Sequence, residues 1–151
     1  FIVELPLAYA TSAVNRDAAA SVASVASPAH VEALRLLLVE DDPIVAEVLQ
    51  GLLRAQGHAV VHVAHGLAAL SETATQRFDA ALLDLDLPGV DGLALARLLR
   101  AQGFRAPLLA VTARSDAEAE AQARVAGFDD FLRKPVAGAQ LADALAAALR
   151  G

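Results

Sequence analysis

The 151-residue chain has no cysteine, no methionine and no tryptophan. Without cysteine neither a disulfide nor a thiolate metal site can form, which fits a reducing cytoplasm. Aromatic residues make up only 4%, so a core has to be assembled mostly from Leu, Val and Ala. No apolar run approaches the roughly 20 residues needed to cross a bilayer. No basic segment leading into an apolar one opens the chain, as a secretory signal would require. Membrane contact is therefore not expected of this fragment. Basic charge is also in short supply. Twelve Lys and Arg stand against eighteen Asp and Glu, a net charge of -6, so nucleic acid is not an expected partner. What remains is aliphatic: 56% hydrophobic against 20% charged, enough to fill a core and too apolar for general disorder.

Two textures divide the chain. Residues 8–33 are Ala, Ser and Val with few charges and no large apolar side chain, and read as a linker. From Leu34 onward, short apolar runs alternate with longer amphipathic stretches. Leu36 to Val39, Ala80 to Leu83 and Leu108 to Val111 are continuous apolar runs of the kind buried on both faces of a parallel sheet. His58 to Val63 and Asp130 to Leu132 are weaker strand candidates. Between them lie helical patterns with recognisable ends. Asp42 can cap a helix that starts at Pro43, shows Ile44, Val45, Val48, Leu49, Leu52 and Leu53 as its apolar face, and stops at Gly57. Gly66 to Gln76 and Gly92 to Ala101 follow. Ser115 and Glu118 have capping-box spacing for a helix running to about Gly127, and Leu141 to Leu149 is the last. Five strands alternating with five helices imply an α/β doubly wound sandwich.

In such sheets ligands bind beyond the carboxyl ends of the strands. The residues that interrupt the apolar pattern fall there: Glu40, Asp41 and Asp42 after the first run, Asp84 after the third, Thr112 after the fourth and Lys134 after the fifth. Two carboxylates about 4 Å apart repel by roughly 4 kcal/mol at an effective dielectric near 20. A divalent cation or raised pKa values would relieve such crowding. Oxygen ligands without His or Cys suit Mg²⁺. A carboxylate can also accept a phosphoryl group, with a Lys ammonium holding a phosphate oxygen.

Four blocks carry a family resemblance: LLLVEDDP (36–43), LLDLDLPGVDG (82–92), AVTA (110–113) and DFLRKP (130–135). In order and separation they resemble the receiver domains of two-component signalling, over residues 34–150. The resemblance implies a flavodoxin-like (βα)5 three-layer sandwich with parallel strand order 2-1-3-4-5. It implies Asp84 as phosphoacceptor, Asp41 as a direct Mg²⁺ ligand, Glu40 as the neighbouring acid acting through water, and the backbone carbonyl of Asp86 as a further ligand. Thr112 matches the hydroxyl that turns inward to the phosphate, and Lys134 the ammonium that pairs with it. Pro135 suggests a cis peptide after Lys134. Phe131 matches the switch aromatic, though a plain core aromatic explains it equally well. Asp86 and Arg114 occupy the positions that modulate water access in such domains.

The function so implied is a phosphorelay receiver that takes a phosphoryl group from phosphohistidine, catalysing its own phosphorylation and dephosphorylation. Its fourth helix, fifth strand and fifth helix would form the face that responds. The donor would be the dimerisation and phosphoacceptor domain of a histidine kinase or a histidine phosphotransfer domain, and a second copy is a further candidate partner. Two other readings stay open. Asp84 and Asp86 also fit the nucleophile and acid of a haloacid-dehalogenase-type phosphatase, although that family usually places Thr or Val where Pro88 stands. A pseudo-receiver that only binds partners is the other. Residues 1–7 (FIVELPL) resemble the last strand of a histidine kinase ATP-binding domain. With the absence of Met and the stop at Gly151, just after the last helix, this leads us to expect the C-terminal receiver of a hybrid sensor histidine kinase, cytoplasmic itself.

Overall fold

The computed structural model describes residues 33–113 and 116–150. The expected kinase remnant at 1–7 and the linker at 8–33, Ala33 excepted, lie outside the described residues.

Ten elements alternate along the chain: β1 (Arg35–Val39), α1 (Pro43–Ala55), β2 (Ala59–Val63), α2 (Gly66–Thr75), β3 (Ala80–Leu83), α3 (Gly92–Ala101), β4 (Leu108–Thr112), α4 (Ala117–Ala126), β5 (Asp130–Arg133) and α5 (Gly138–Arg150). All neighbouring strands pair in parallel, in the order β2-β1-β3-β4-β5. This is the flavodoxin-like arrangement expected from the sequence, with helices on both faces of the sheet. Successive strand residues point to opposite faces, and the apolar runs supply two cores accordingly. Leu37, Val39, Ala81, Leu83, Leu108 and Ala110 pack with residues of α2, α3 and α4. Leu36, Leu38, Ala80, Leu82, Leu109 and Val111 pack with residues of α1 and α5. An apolar run rather than an alternation is what a central strand covered on both sides requires.

Helix starts follow the capping residues. The Asp42 carboxylate accepts the amides of Ile44 and Val45, with Pro43 at the first helical position. Asp91 caps α3 through the Ala94 amide at 2.8 Å. Three expectations need correction. The cap of α4 is Asp116, which accepts the Ala119 amide at 3.2 Å; Ser115, expected to open that helix, lies outside the described residues. Helix α5 begins at Gly138, three residues before Leu141, because Ala137 already accepts the Leu141 amide. Helix α1 does not bury all six of its apolar residues: Ile44 is 73% and Val48 55% exposed, and the fully buried positions are Ala46, Leu49 and Leu53. A helix lying on a sheet buries only the stripe that faces it, and positions three and four apart define that stripe.

Gly92, the first residue of α3, sits directly against the chain leaving β3. A Cβ there would overlap the Asp84 carbonyl oxygen and approach the Leu85 Cα to 2.6 Å. The Gly92 amide also donates to the Leu85 carbonyl at 3.1 Å. In contrast, a Cβ on Gly51, inside α1, would meet nothing within 4 Å. Gly92→Ala is expected to destabilise the fold by about 1–3 kcal/mol through overpacking. Gly51→Ala is expected to stabilise it by about 0.5–1 kcal/mol through helix propensity. Urea unfolding of the two variants checks both signs.

Candidate functional site

Strand register converts distant residues into neighbours. Val39 pairs with Leu83, so Glu40 and Asp84 are the first residues past two adjacent strands, and the Asp84 amide donates to the Val39 carbonyl at 3.0 Å. Thr112 pairs with Arg133, and the Lys134 amide donates to the Thr112 carbonyl at 2.8 Å. The four positions thus share the carboxyl edge of the sheet.

Lys134 reaches across this edge. Its Nζ lies 2.7 Å from Glu40 Oε1 and 3.1 Å from Asp84 Oδ2. The Asp84 contact is a hydrogen bond. The Glu40 contact is a close ion pair, and Glu40 is only 1% exposed. The other oxygens are held by backbone: Glu40 Oε2 accepts the Asp42 amide at 3.1 Å and Asp84 Oδ1 the Asp86 amide at 2.9 Å. Asp41 is exposed, and its carboxylate completes a set with Glu40 and Asp84 in which one oxygen from each lies within 4.8 Å of the others. The Lys134–Pro135 peptide is cis.

Burial pushes the Glu40 carboxyl above the ordinary glutamate range, and the negative charge of Asp84 adds to the rise, while Lys134 and the Asp42 amide pull it back in part. For Lys134 burial acts the other way, but the Glu40 and Asp84 carboxylates outweigh it and hold the ammonium above its usual value. Three carboxylates against one ammonium leave an excess of negative charge, which a dication complements. The ligand atoms on offer are all carboxylate oxygens, one each from Glu40, Asp41 and Asp84 within 4.8 Å of the others, the choice of a hard cation. The residues fit Mg²⁺.

Thr112 is fully buried, and its hydroxyl donates to Asp86 Oδ2 at 3.3 Å. Asp86 itself is exposed. Phe131 pairs with Ala110 in the sheet and packs, partly buried, against the core on the α2–α3–α4 side. Arg114 lies outside the described residues. One residue next to the site was not anticipated: the His62 ring, on β2, places Nε2 2.8 Å from the Glu40 backbone carbonyl. The signal was present as a polar residue inside the otherwise apolar segment Ala59–Val63.

Residues 36–146 match the family described as the response regulator receiver domain. The two-component response regulator PhoP of Pseudomonas aeruginosa is 38% identical over 117 residues, covering 78% of this chain and 52% of PhoP. The response regulator MprA of Mycobacterium avium is likewise 38% identical, with 51% of its length covered. The chain spans about half the length of the curated relatives it matches. Among solved structures, the receiver domain of the sensor histidine kinase PA1611 from Pseudomonas aeruginosa superposes with a TM-score of 0.74. It is 35% identical, the match covers 80% of this chain and 100% of that one, and it carries a magnesium ion in its active-site cleft. The signal receiver domain of a signal transduction histidine kinase from Syntrophus aciditrophicus gives a TM-score of 0.71 at 34% identity, with 79% and 92% covered.

The raised Glu40 pKa has a stability consequence. Between the ordinary glutamate value and the raised one, the folded protein holds a proton that the unfolded chain has released. That contribution is complete below the ordinary value and is lost as pH rises through the folded pKa. In the absence of divalent ions, stability should therefore fall with pH across this window, and Glu40→Gln should flatten the fall. Denaturant midpoints measured across the acidic range in chelator test this; an unchanged slope in the variant would contradict it.

Proposed function

Since the chain belongs to the response regulator receiver domain family, we propose that residues 34–150 form a phosphorylation switch in which Asp84 takes a phosphoryl group from a phosphohistidine. The observation that carries this reading is the Lys134 ammonium shared between Glu40 and Asp84, with Asp41 beside them. In the transfer, an Asp84 carboxylate oxygen forms a bond to phosphorus while the histidine P–N bond breaks, and the imidazole leaves and takes up a proton. The Asp41 and Asp84 carboxylates and the Asp86 carbonyl would hold Mg²⁺, with Glu40 acting through water, and the ion would supply charge neutralisation for the transferring group. Lys134 exchanges its Asp84 hydrogen bond for a phosphoryl oxygen. The Thr112 hydroxyl leaves Asp86 and turns to another. Phe131, adjacent in the sheet to the strand that carries Thr112, then follows inward, and the α4–β5–α5 face changes.

A surface beside the pocket supports a helical phosphohistidine donor. Ile44, Val45, Val48 and Leu49 of α1 form, with Pro135 and Val136, a groove of about 330 Å³ that Lys134 borders. An apolar groove of this kind suits the apolar face of a partner helix, and Lys134 at its border hydrogen-bonds Asp84, where the reacting imidazole has to arrive. The dimerisation and phosphoacceptor domain of a histidine kinase, or a histidine phosphotransfer domain, offers such a helix. The hybrid-kinase reading, with residues 1–7 as a kinase remnant and 8–33 as linker, is supported by two similar receiver domains that belong to histidine kinases. None of the described helices is long and apolar enough to cross a membrane. An intact gene that starts near Phe1, or continues into an effector domain, would remove the hybrid reading.

Acetyl phosphate with Mg²⁺ should label the protein once per chain, and Asp84→Asn should abolish the label. Asp86→Asn and Arg114→Ala should change the lifetime of the label without preventing its formation. Ile44→Asp and Val48→Asp should slow transfer from a phosphohistidine protein at least tenfold, an estimate of about 1.4 kcal/mol for a lost anchor. Both should still be labelled by acetyl phosphate at the wild-type rate. Undiminished labelling of Asp84→Asn would end the proposal.

A further inference from the structure

The geometry points to His62 as a positioning residue for the acidic pocket: its imidazole holds the backbone of Glu40, and through it the Glu40 and Asp41 carboxylates. The inference rests on the reading of Glu40, Asp41 and Asp84 as a divalent-cation site.

The hydrogen bond itself assigns the proton. Nε2 lies 2.8 Å from the Glu40 carbonyl oxygen, and a carbonyl can only accept, so Nε2 carries hydrogen. The neutral Nε2–H tautomer and the imidazolium both present that donor, so the contact does not depend on the charge of the ring. The Glu40 amide donates to the Val63 carbonyl at 3.1 Å. Consecutive residues of β2 therefore hold both backbone groups of Glu40, one through main chain and one through a side chain.

The ring takes over where the ladder stops. The last paired residues of β1 and β2 are Val39 and Val63, and two residues further on His65 caps α2, which starts at Gly66. Past that point the Glu40 carbonyl has no strand to donate to it, and the imidazole supplies the bond. The position is an unusual one for a polar ring. Val61 and Val63 pack toward the core under α2 and α3, whereas Val60 packs toward the core under α1 and α5. By alternation His62 shares the face of Val60, where filling space would call for another Val or Ile. The Glu40 side chain is in turn fixed by Lys134 and by the Asp42 amide. The His62 bond is the tie that sets where the peptide between Glu40 and Asp41 lies, and so where the exposed Asp41 carboxylate stands relative to Asp84.

Groups that orient a metal's ligands commonly change its affinity about 10- to 100-fold when removed. The test uses the ¹⁵N-labelled chain with and without Mg²⁺. In the metal-free wild type, the His62 nitrogen shifts should show hydrogen on Nε2; a neutral ring protonated only on Nδ1 would overturn the inference without any variant. Titration with Mg²⁺, followed by the Asp41 and Asp84 amides, should then show about tenfold weaker binding in His62→Leu. The Asp42 amide, which reports on the Glu40 carboxylate, should exchange faster with solvent in that variant before any metal is added. His62→Gln, which keeps an N–H donor, should recover most of both. Wild-type affinity and Asp42 protection in His62→Leu would overturn the positioning role, as would a His62→Gln variant no better than His62→Leu. If the wild type itself binds no Mg²⁺, the cation-site reading fails first and this inference falls with it.

Discussion

A single ammonium balancing two buried carboxylates is the interaction on which this structure turns. Glu40 and Asp84 leave adjacent strands, and each would be costly to bury alone, because an isolated charge loses its hydration without compensation. Lys134, arriving from β5, approaches both. It compensates only part of the charge. Glu40 keeps a raised affinity for its proton, and Asp41 adds a third carboxylate at the rim. The pocket is a structure with an electrostatic deficit of defined place. In the proposed switch a small dication would fill that deficit, and a phosphoryl group would add oxygens within the reach of Lys134 and Thr112.

The rest of the fold serves to bring these groups together and keep them there. Parallel register makes Glu40 and Asp84 neighbours, and Thr112 and Lys134 likewise. The two aliphatic cores hold the sheet rigid from both sides, so the site is built on strand ends rather than on free loops. Local devices finish the work. Asp42 caps α1 with its carboxylate while its amide binds Glu40. Gly92 lets α3 start against the Asp84 carbonyl. His62 closes the Glu40 carbonyl after the ladder has ended. The same edge also presents an apolar α1 surface, bordered by Lys134.

Much of this was legible in the residues. Continuous apolar runs such as Leu36 to Val39 can be satisfied only by strands covered on both faces, and the residues that end them are the ones that converge. Strand ends are legible because chemistry changes abruptly there, from aliphatic to acidic or basic. The rotation of α1 was not. Ile44 and Val48 belong by composition to an apolar face, yet the stripe that meets the sheet passes through Ala46, Leu49 and Leu53. Composition does not reveal which side of a wide apolar face is left for a partner. The start of α4 was also missed by one residue, since Ser115 and Asp116 are both competent caps and only the path of the chain chooses between them. The part played by His62 depends on a side chain reaching past its paired residue, Leu38, to a carbonyl two residues on. No spacing rule encodes such a reach.

The most direct test is a crystal structure of the chain grown with Mg²⁺ and beryllofluoride, a stable mimic of the phosphoryl group. The account predicts beryllium bonded to an Asp84 carboxylate oxygen and a cation about 2.0–2.1 Å from the Asp41 and Asp84 oxygens. Lys134 Nζ and the Thr112 hydroxyl should both sit on fluorine. A structure in which the ion binds elsewhere, or in which Asp84 stays unmodified with Lys134 still bridging it to Glu40, would contradict the account.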